Sequence, residues 1–130
     1  SRGLGDVYKR QELYPVTHGE RITELIDVVG SVYVADVVKD YLVNIVAATR
    51  SHDAVRLGAS PRASLHLIRT ARAKAALAGR DYVIPDDVQA MAIPVLAHRL
   101  LPSTRAQLDG ISPVDIVSQI LTSTPVPEQA

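Results

Sequence analysis

Arginine at the head of a helix is the chemistry this sequence offers most plainly. Arg62 follows Leu57-Gly58-Ala59-Ser60-Pro61 and precedes a run with helical spacing. Ser60 is a good N-cap and Pro61 a good first helical residue. The spacing therefore predicts a helix from Pro61 to about Ala78, stopped by Gly79. An anion held at that helix start would meet a guanidinium fork and free backbone N–H groups together. Such an arrangement suits a terminal phosphate. Ser60, Pro61 and Arg62 are the candidate binding residues. The competing reading is a structural arginine, buried against an acid and acting through stability alone.

Arg62 sits in an uneven charge distribution. Between Ala54 and Arg80 there is no acidic residue, yet Arg56, Arg62, Arg69, Arg72, Lys74 and Arg80 all fall there. Over the whole chain fourteen basic residues balance fourteen acidic ones, so no global field selects nucleic acid or an anionic membrane. The local stretch reads either as a solvated face paired with acids elsewhere or as an anion-binding face. A small nucleic-acid-binding domain is the alternative function on that second view. The helix argues against it, having no aromatic residue, Asn or Gln to stack on or read bases.

Other chemistries find little support. No G-x-x-x-x-G-K-[ST] phosphate loop, G-x-G-x-x-G turn or H-E-x-x-H helix occurs. His18, His52, His66 and His98 are scattered singly, and the absence of cysteine excludes disulfides, thiolate metal sites and cysteine nucleophiles. The sequence does not describe a self-sufficient enzyme, and no metal site is expected.

The elements that position Arg62 follow from periodicity. Thr17-His18-Gly19-Glu20 reads as a capping box before Ile22, Leu25, Ile26 and Val29, predicting a helix over 18–29 that Gly30 ends. Val37, Val38, Tyr41, Leu42, Ile45 and Val46 predict a helix over 35–50. In the helix over 61–78, Leu65, Ile68, Ala71 and Ala75 lie on one side, with Arg62, His66, Arg69 and Ala73 opposite. Pro85, Asp86 and Asp87 open a helix over 85–98, which Pro94 should break. A last helix is expected over 113–122. Two extended stubs, Val32–Val34 and Tyr82–Ile84, each precede an acid-primed helix and should pair as a minimal parallel ladder. Residues 51–61 and 101–110 read as loops. Val38, Leu42, Ile45, Leu65, Ile68, Ala71, Ala75, Val88 and Leu96 are the expected core.

The fold class is thus all-α, a small bundle of four or five helices with two short stubs. A chain of 130 residues with 47% hydrophobic and 22% charged residues can bury a real core. With five tyrosines and no Phe or Trp, that core must be aliphatic. Residues 1–11 share no period with the rest of the chain and read as a tag- or adaptor-like leader. Residues 12–124 form the expected domain, and 125–130 a tail with two nearby prolines, Pro125 and Pro127. No secretion signal or membrane-spanning run is visible.

The run from Arg56 to Leu100 resembles the C-terminal lid of MoxR-type AAA+ ATPases. Its L-G-A-S-P-R, G-R-D-Y-V-x-P-D-D-V and V-L-A-H-R-L segments match that family in order and spacing, and the upstream V-Y-V-A-D-V-V-K-D-Y-L-V-N-I-V-A-A-T-R-S-H is similar to its first lid helix. The resemblance covers roughly Leu13 to Pro127 and departs at Ile84, where the family carries a capping Thr or Ser. It implies a lid that closes over ATP and Mg bound mainly by an upstream core, where the Walker, sensor-1 and arginine-finger elements would lie. Arg62 matches the sensor-2 arginine, which touches the γ-phosphate and is the catalytic residue on this reading. The resemblance further implies a cytoplasmic, chaperone-like ATPase. Its partners would be its own core, neighbouring subunits of a ring, and von Willebrand factor A domain proteins. The chain alone is then expected to bind nucleotide weakly at most and not to hydrolyse it.

Overall fold

The structure is a computed structural model that describes residues 14–128, with side chains from residue 19 onward. The expected leader lies outside the described residues. The described residues fall into two units, divided between Ser31 and Val32.

In the first unit, α1 spans Tyr14–Gly30. The expected start at residue 18 is four residues late. Thr17–Glu20 lies inside the helix, and Pro15 falls in its first turn, where a missing N–H costs nothing. Gly30, expected just beyond a helix ending at residue 29, is itself the last helical residue. The Ser31 N–H closes the helix onto the carbonyls of Asp27 and Val28.

The second unit holds the core. Val32–Val34 leads into α2 (Asp36–Ser51). Strand β1 (Val55–Leu57) and the Gly58–Arg62 loop come next, then α3 (Ala63–Leu77) and α4 (Pro85–Leu96). A 3₁₀ turn at Ala97–Arg99 leads to β2 (Leu101–Pro102), α5 (Thr104–Leu108) and α6 (Pro113–Ser123). The all-α class holds. Among the described residues no helix is long and apolar enough to cross a membrane.

The two stubs meet as predicted. Tyr33 and Tyr82 form a parallel bridge, the Tyr33 N–H donating to Asp81 and the Val83 N–H to Tyr33. The pairing of β1 with β2, antiparallel and irregular, was not expected. It ties the segment before Gly58 to the chain after α4. Neither partner is long enough to leave a period in the sequence.

The core is aliphatic. Leu42, Ile45 and Val46 of α2 pack with Leu67 of α3, Val88 and Leu96 of α4, and Ile116, Val117 and Ile120 of α6. Tyr41 is buried too, and its hydroxyl accepts a hydrogen bond from Gln89. Two expectations need correction. Leu65 is exposed and Ile68 only half-buried, because the stripe facing inward is Ala63, Leu67, Ala71 and Ala75. Three alanines on that stripe let α3 approach α4 closely, and that packing sets the phase. Pro94 does not break α4, which runs on to Leu96 before tightening into the 3₁₀ turn. Buried Val95 and Leu96 hold the last turn against the core, which outweighs the hydrogen bond that Pro94 removes.

Leu42 tests this packing. Leu42→Ala should destabilise the chain by about 2–5 kcal/mol, from lost transfer energy and a residual cavity. Urea unfolding reads it, and a loss below about 1 kcal/mol would place α2 in the wrong phase.

Candidate functional site

The loop that carries Arg62 is fastened at several points. Gly58 lies so near the end of α2 that a Cβ would stand 2.4 Å from the Thr49 carbonyl oxygen and 2.8 Å from the Arg50 Cα. Only glycine fits this approach of backbone to backbone. One residue on, the Ala59 N–H donates to the Thr49 hydroxyl at 3.0 Å, and that hydroxyl donates to the Val46 carbonyl at 2.6 Å. Arg50 donates to the Ala59 carbonyl at 2.9 Å. Thr49 and Ala59 are both buried.

Beyond Ala59 the chain turns tightly. The amides of Ala63, Ser64 and Leu65 donate to the carbonyls of Ser60, Pro61 and Arg62, three residues back in each case. The regular helix therefore starts at Ala63, with Arg62 in the cap position. This corrects the expectation that Ser60 caps and Pro61 opens it. Ser60 makes no capping bond, because the turn's own carbonyls stand where an N-cap would.

Ser60, Pro61 and Arg62 are exposed side by side at this corner. Among the described residues the Arg62 side chain makes no hydrogen bond or ion pair. With the inward stripe at Ala63, Leu67, Ala71 and Ala75, the helical period turns Arg62, His66 and Arg69 outward, and all three are exposed.

The structure splits the basic stretch in two. Arg72 donates to the Val32 carbonyl at 3.1 Å, which joins α3 to the first stub. Arg80 makes two bonds of 2.7 Å to Asp87, donates to the Tyr82 carbonyl, and lies 5.9 Å from the Tyr82 ring. These two are structural. Arg56, Arg62, Arg69 and Lys74 are exposed.

Asp87 also answers the missing cap at Ile84. Ile84 has no side-chain acceptor, and the Asp87 carboxylate instead accepts the Ile84 N–H at 2.9 Å. Burial pushes the Asp87 carboxyl up. The Arg80 bonds and the Ile84 N–H outweigh it and hold the carboxyl below the ordinary aspartate range. The Asp87 bond in turn raises Arg80.

His98 is exposed, and Arg99 donates to the Val95 carbonyl at 2.7 Å. Among the described residues no cluster of His, Asp and Glu could hold a metal ion.

Thr49 is the supporting residue that sequence reasoning missed. A signal existed, since it continues the stripe of Leu42, Ile45 and Val46 as a polar residue that burial obliges to find a partner.

Gly58→Ala should cost about 1–3 kcal/mol by overpacking against backbone that cannot rotate away. The amides of Ala59 and Arg62 should shift with it. An unchanged spectrum and unfolding midpoint would mean that the loop is not pinned.

The profile of the AAA lid domain family matches residues 47–120, and the chain belongs to that family. Over 119 residues it is 42% identical to the uncharacterized protein YeaC of Bacillus subtilis, which spans 92% of this chain and 37% of YeaC. It is 37% identical over 116 residues to the chaperone MoxR1 of Mycobacterium tuberculosis, covering 82% of this chain and 31% of MoxR1. A crystal structure from Cytophaga hutchinsonii, named as a candidate ATPase, superposes with a TM-score of 0.74 at 30% identity, over 78% of this chain and 34% of that one. The chain spans about a third of the length of these relatives.

Proposed function

We propose that this unit is the lid of a MoxR-like ATPase, closing over ATP and Mg held by a core domain, and that Arg62 is its sensor-2 arginine. One observation carries the reading. Arg62 is exposed and unpaired among the described residues, on a loop that Gly58, Thr49 and Arg50 hold to the lid's own core. A structural arginine would be satisfied by the fold, as Arg80 is.

The residues present fit one side of a phosphate site and not the whole of it. Arg62 offers a fork of donors, Ser60 a hydroxyl, and Pro61 a rigid backbone. ATP supplies the phosphoryl bond that hydrolysis breaks. Arg62 neutralises charge growing on the terminal phosphoryl oxygens, from a loop whose backbone is already fixed. Loss of that phosphate removes the partner of Arg62, so the lid is free to rotate and a ring of subunits to pass the motion on.

The relative named a chaperone supports a remodelling role. The cytoplasm as its place, and the core, neighbouring subunits and von Willebrand factor A domain proteins as its partners, belong to the same proposal. Purified alone, the chain should show no magnesium-dependent ATP hydrolysis, because the phosphate loop and magnesium ligands lie elsewhere. A phosphate-release assay on the chain and on its full-length parent makes the comparison. Turnover by the chain alone would overturn the reading.

A further inference from the structure

A groove of about 380 Å³ opens beside the Tyr33–Tyr82 bridge. Tyr33, Val37, Tyr82, Ile84 and Pro85 line it together with Pro127 and Glu128, so residues after α6 already form part of its wall. Tyr33, Val37 and Tyr82 are exposed, an apolar face with two of the protein's five aromatic rings on it.

The segment that reaches this face has a preset shape. Thr124 ends α6 in an extended conformation, φ −91° and ψ 123°, as a residue before proline prefers. Pro125 and Pro127 fix their own φ and carry no N–H, so Thr124–Glu128 favours polyproline II and cannot extend a ladder through its prolines. Among the described residues, hydrogen bonding from the end of α6 stops at Thr124. Beyond it Pro125, Val126 and Glu128 are exposed and Pro127 is half-buried, so Pro127 is the apolar contact that can hold this segment. Aromatic-lined grooves recognise segments of this kind, whose rigid backbone loses little entropy on docking.

We infer that the Tyr33–Tyr82 face is a polyproline II docking site, and that its occupant is the chain's own segment Thr124–Glu128, seated there through Pro127. The tail is a latch. It fastens the end of α6 to the extended stub Val32–Val34 that opens the second unit. Any lid motion transmitted through that stub would work against the latch. The inference stands without the nucleotide reading.

Hydrogen exchange and tyrosine NMR test it. In the double variant Pro125→Gly, Pro127→Gly, the amides of Tyr33 and Val83, which form the bridge, should exchange about tenfold faster, with the Leu42 and Ile45 amides unchanged. A chain ending at Ser123 should show the same loosening. A synthetic Thr124–Ala130 peptide added to it should shift the Tyr33 and Tyr82 ring signals saturably. The half-point should be on the order of 0.1 mM, because tenfold protection needs a dissociation constant about ten times below the effective concentration of about 1 mM for a short tether. Restored protection at Tyr33 and Val83 completes the expected result. Unchanged exchange in the glycine variant, or non-saturating ring shifts with the peptide, would overturn the latch. So would ring signals of the intact chain that move with protein concentration, since the occupant would then be a second copy.

Discussion

Arg62→Ala, made in the full-length parent, is expected to cut ATP turnover by about tenfold to a thousandfold, the range for removing one preorganised charge partner of a transition state. The same change should leave the lid folded. Arg62 is exposed and its side chain makes no contact on which the helix start depends; the turn there is closed by backbone bonds alone. Substitutions at such positions usually stay within about 0.5 kcal/mol. Turnover and melting temperature should therefore separate. Arg62→Lys should recover only part of the rate, because lysine keeps the charge and loses the fork. Gly58→Ala provides a useful contrast, since it should lower both turnover and stability by moving the loop that carries Arg62. Unaltered turnover in Arg62→Ala, or an unfolded lid, would end the sensor-2 assignment.

How much of this was legible in the sequence depended on whether a residue's role was local. The parallel stubs were legible because Val32–Val34 and Tyr82–Ile84 each carry extended residues before an acid-primed helix, and two like stubs have few ways to pair. The phase of α3 was not. Its inward stripe holds three alanines and one leucine, so Leu65 and Leu67 compete on nearly equal terms until α4 is in place. Hydrophobicity alone chose the wrong leucine; close helix packing chose the right one. Pro94 misled in the same way, since a local rule against proline lost to the burial of Val95 and Leu96. At the candidate site, Arg62 was visible as a residue type at a helix start. The contacts that hold it there were not visible. The need for glycine at position 58 arises from Thr49 and Arg50, which come near only when the chain folds back over the end of α2.

Removing Arg80 should be the most damaging single change to the fold outside the hydrophobic core. Its partner Asp87 has a side chain only 3% exposed, whereas the Arg80 side chain is 24% exposed. The two members of the pair are therefore not equivalent. Arg80→Met strands a buried carboxylate and should cost about 3–5 kcal/mol. Asp87→Asn leaves a guanidinium that can turn towards water, and should cost less. Acidity provides the sharper check. In the native chain the Asp87 carboxyl lies below its unfolded value, so its stabilisation is complete above the ordinary aspartate pKa of about 4 and is lost as pH falls through the folded value. In Arg80→Met the Ile84 N–H and the Lys74 charge still oppose burial, the largest single influence on the carboxyl, but the Arg80 bonds and charge are gone, so the folded value should rise. The variant should then gain stability relative to the native chain as pH falls from 7 towards 4. Urea unfolding at several pH values should show the gap between the two narrowing. A gap independent of pH would mean that Arg80 acts through packing on Tyr82 and its bond to the Tyr82 carbonyl rather than through charge. The Ile84 amide would then have no need of an ionised Asp87 to start α4.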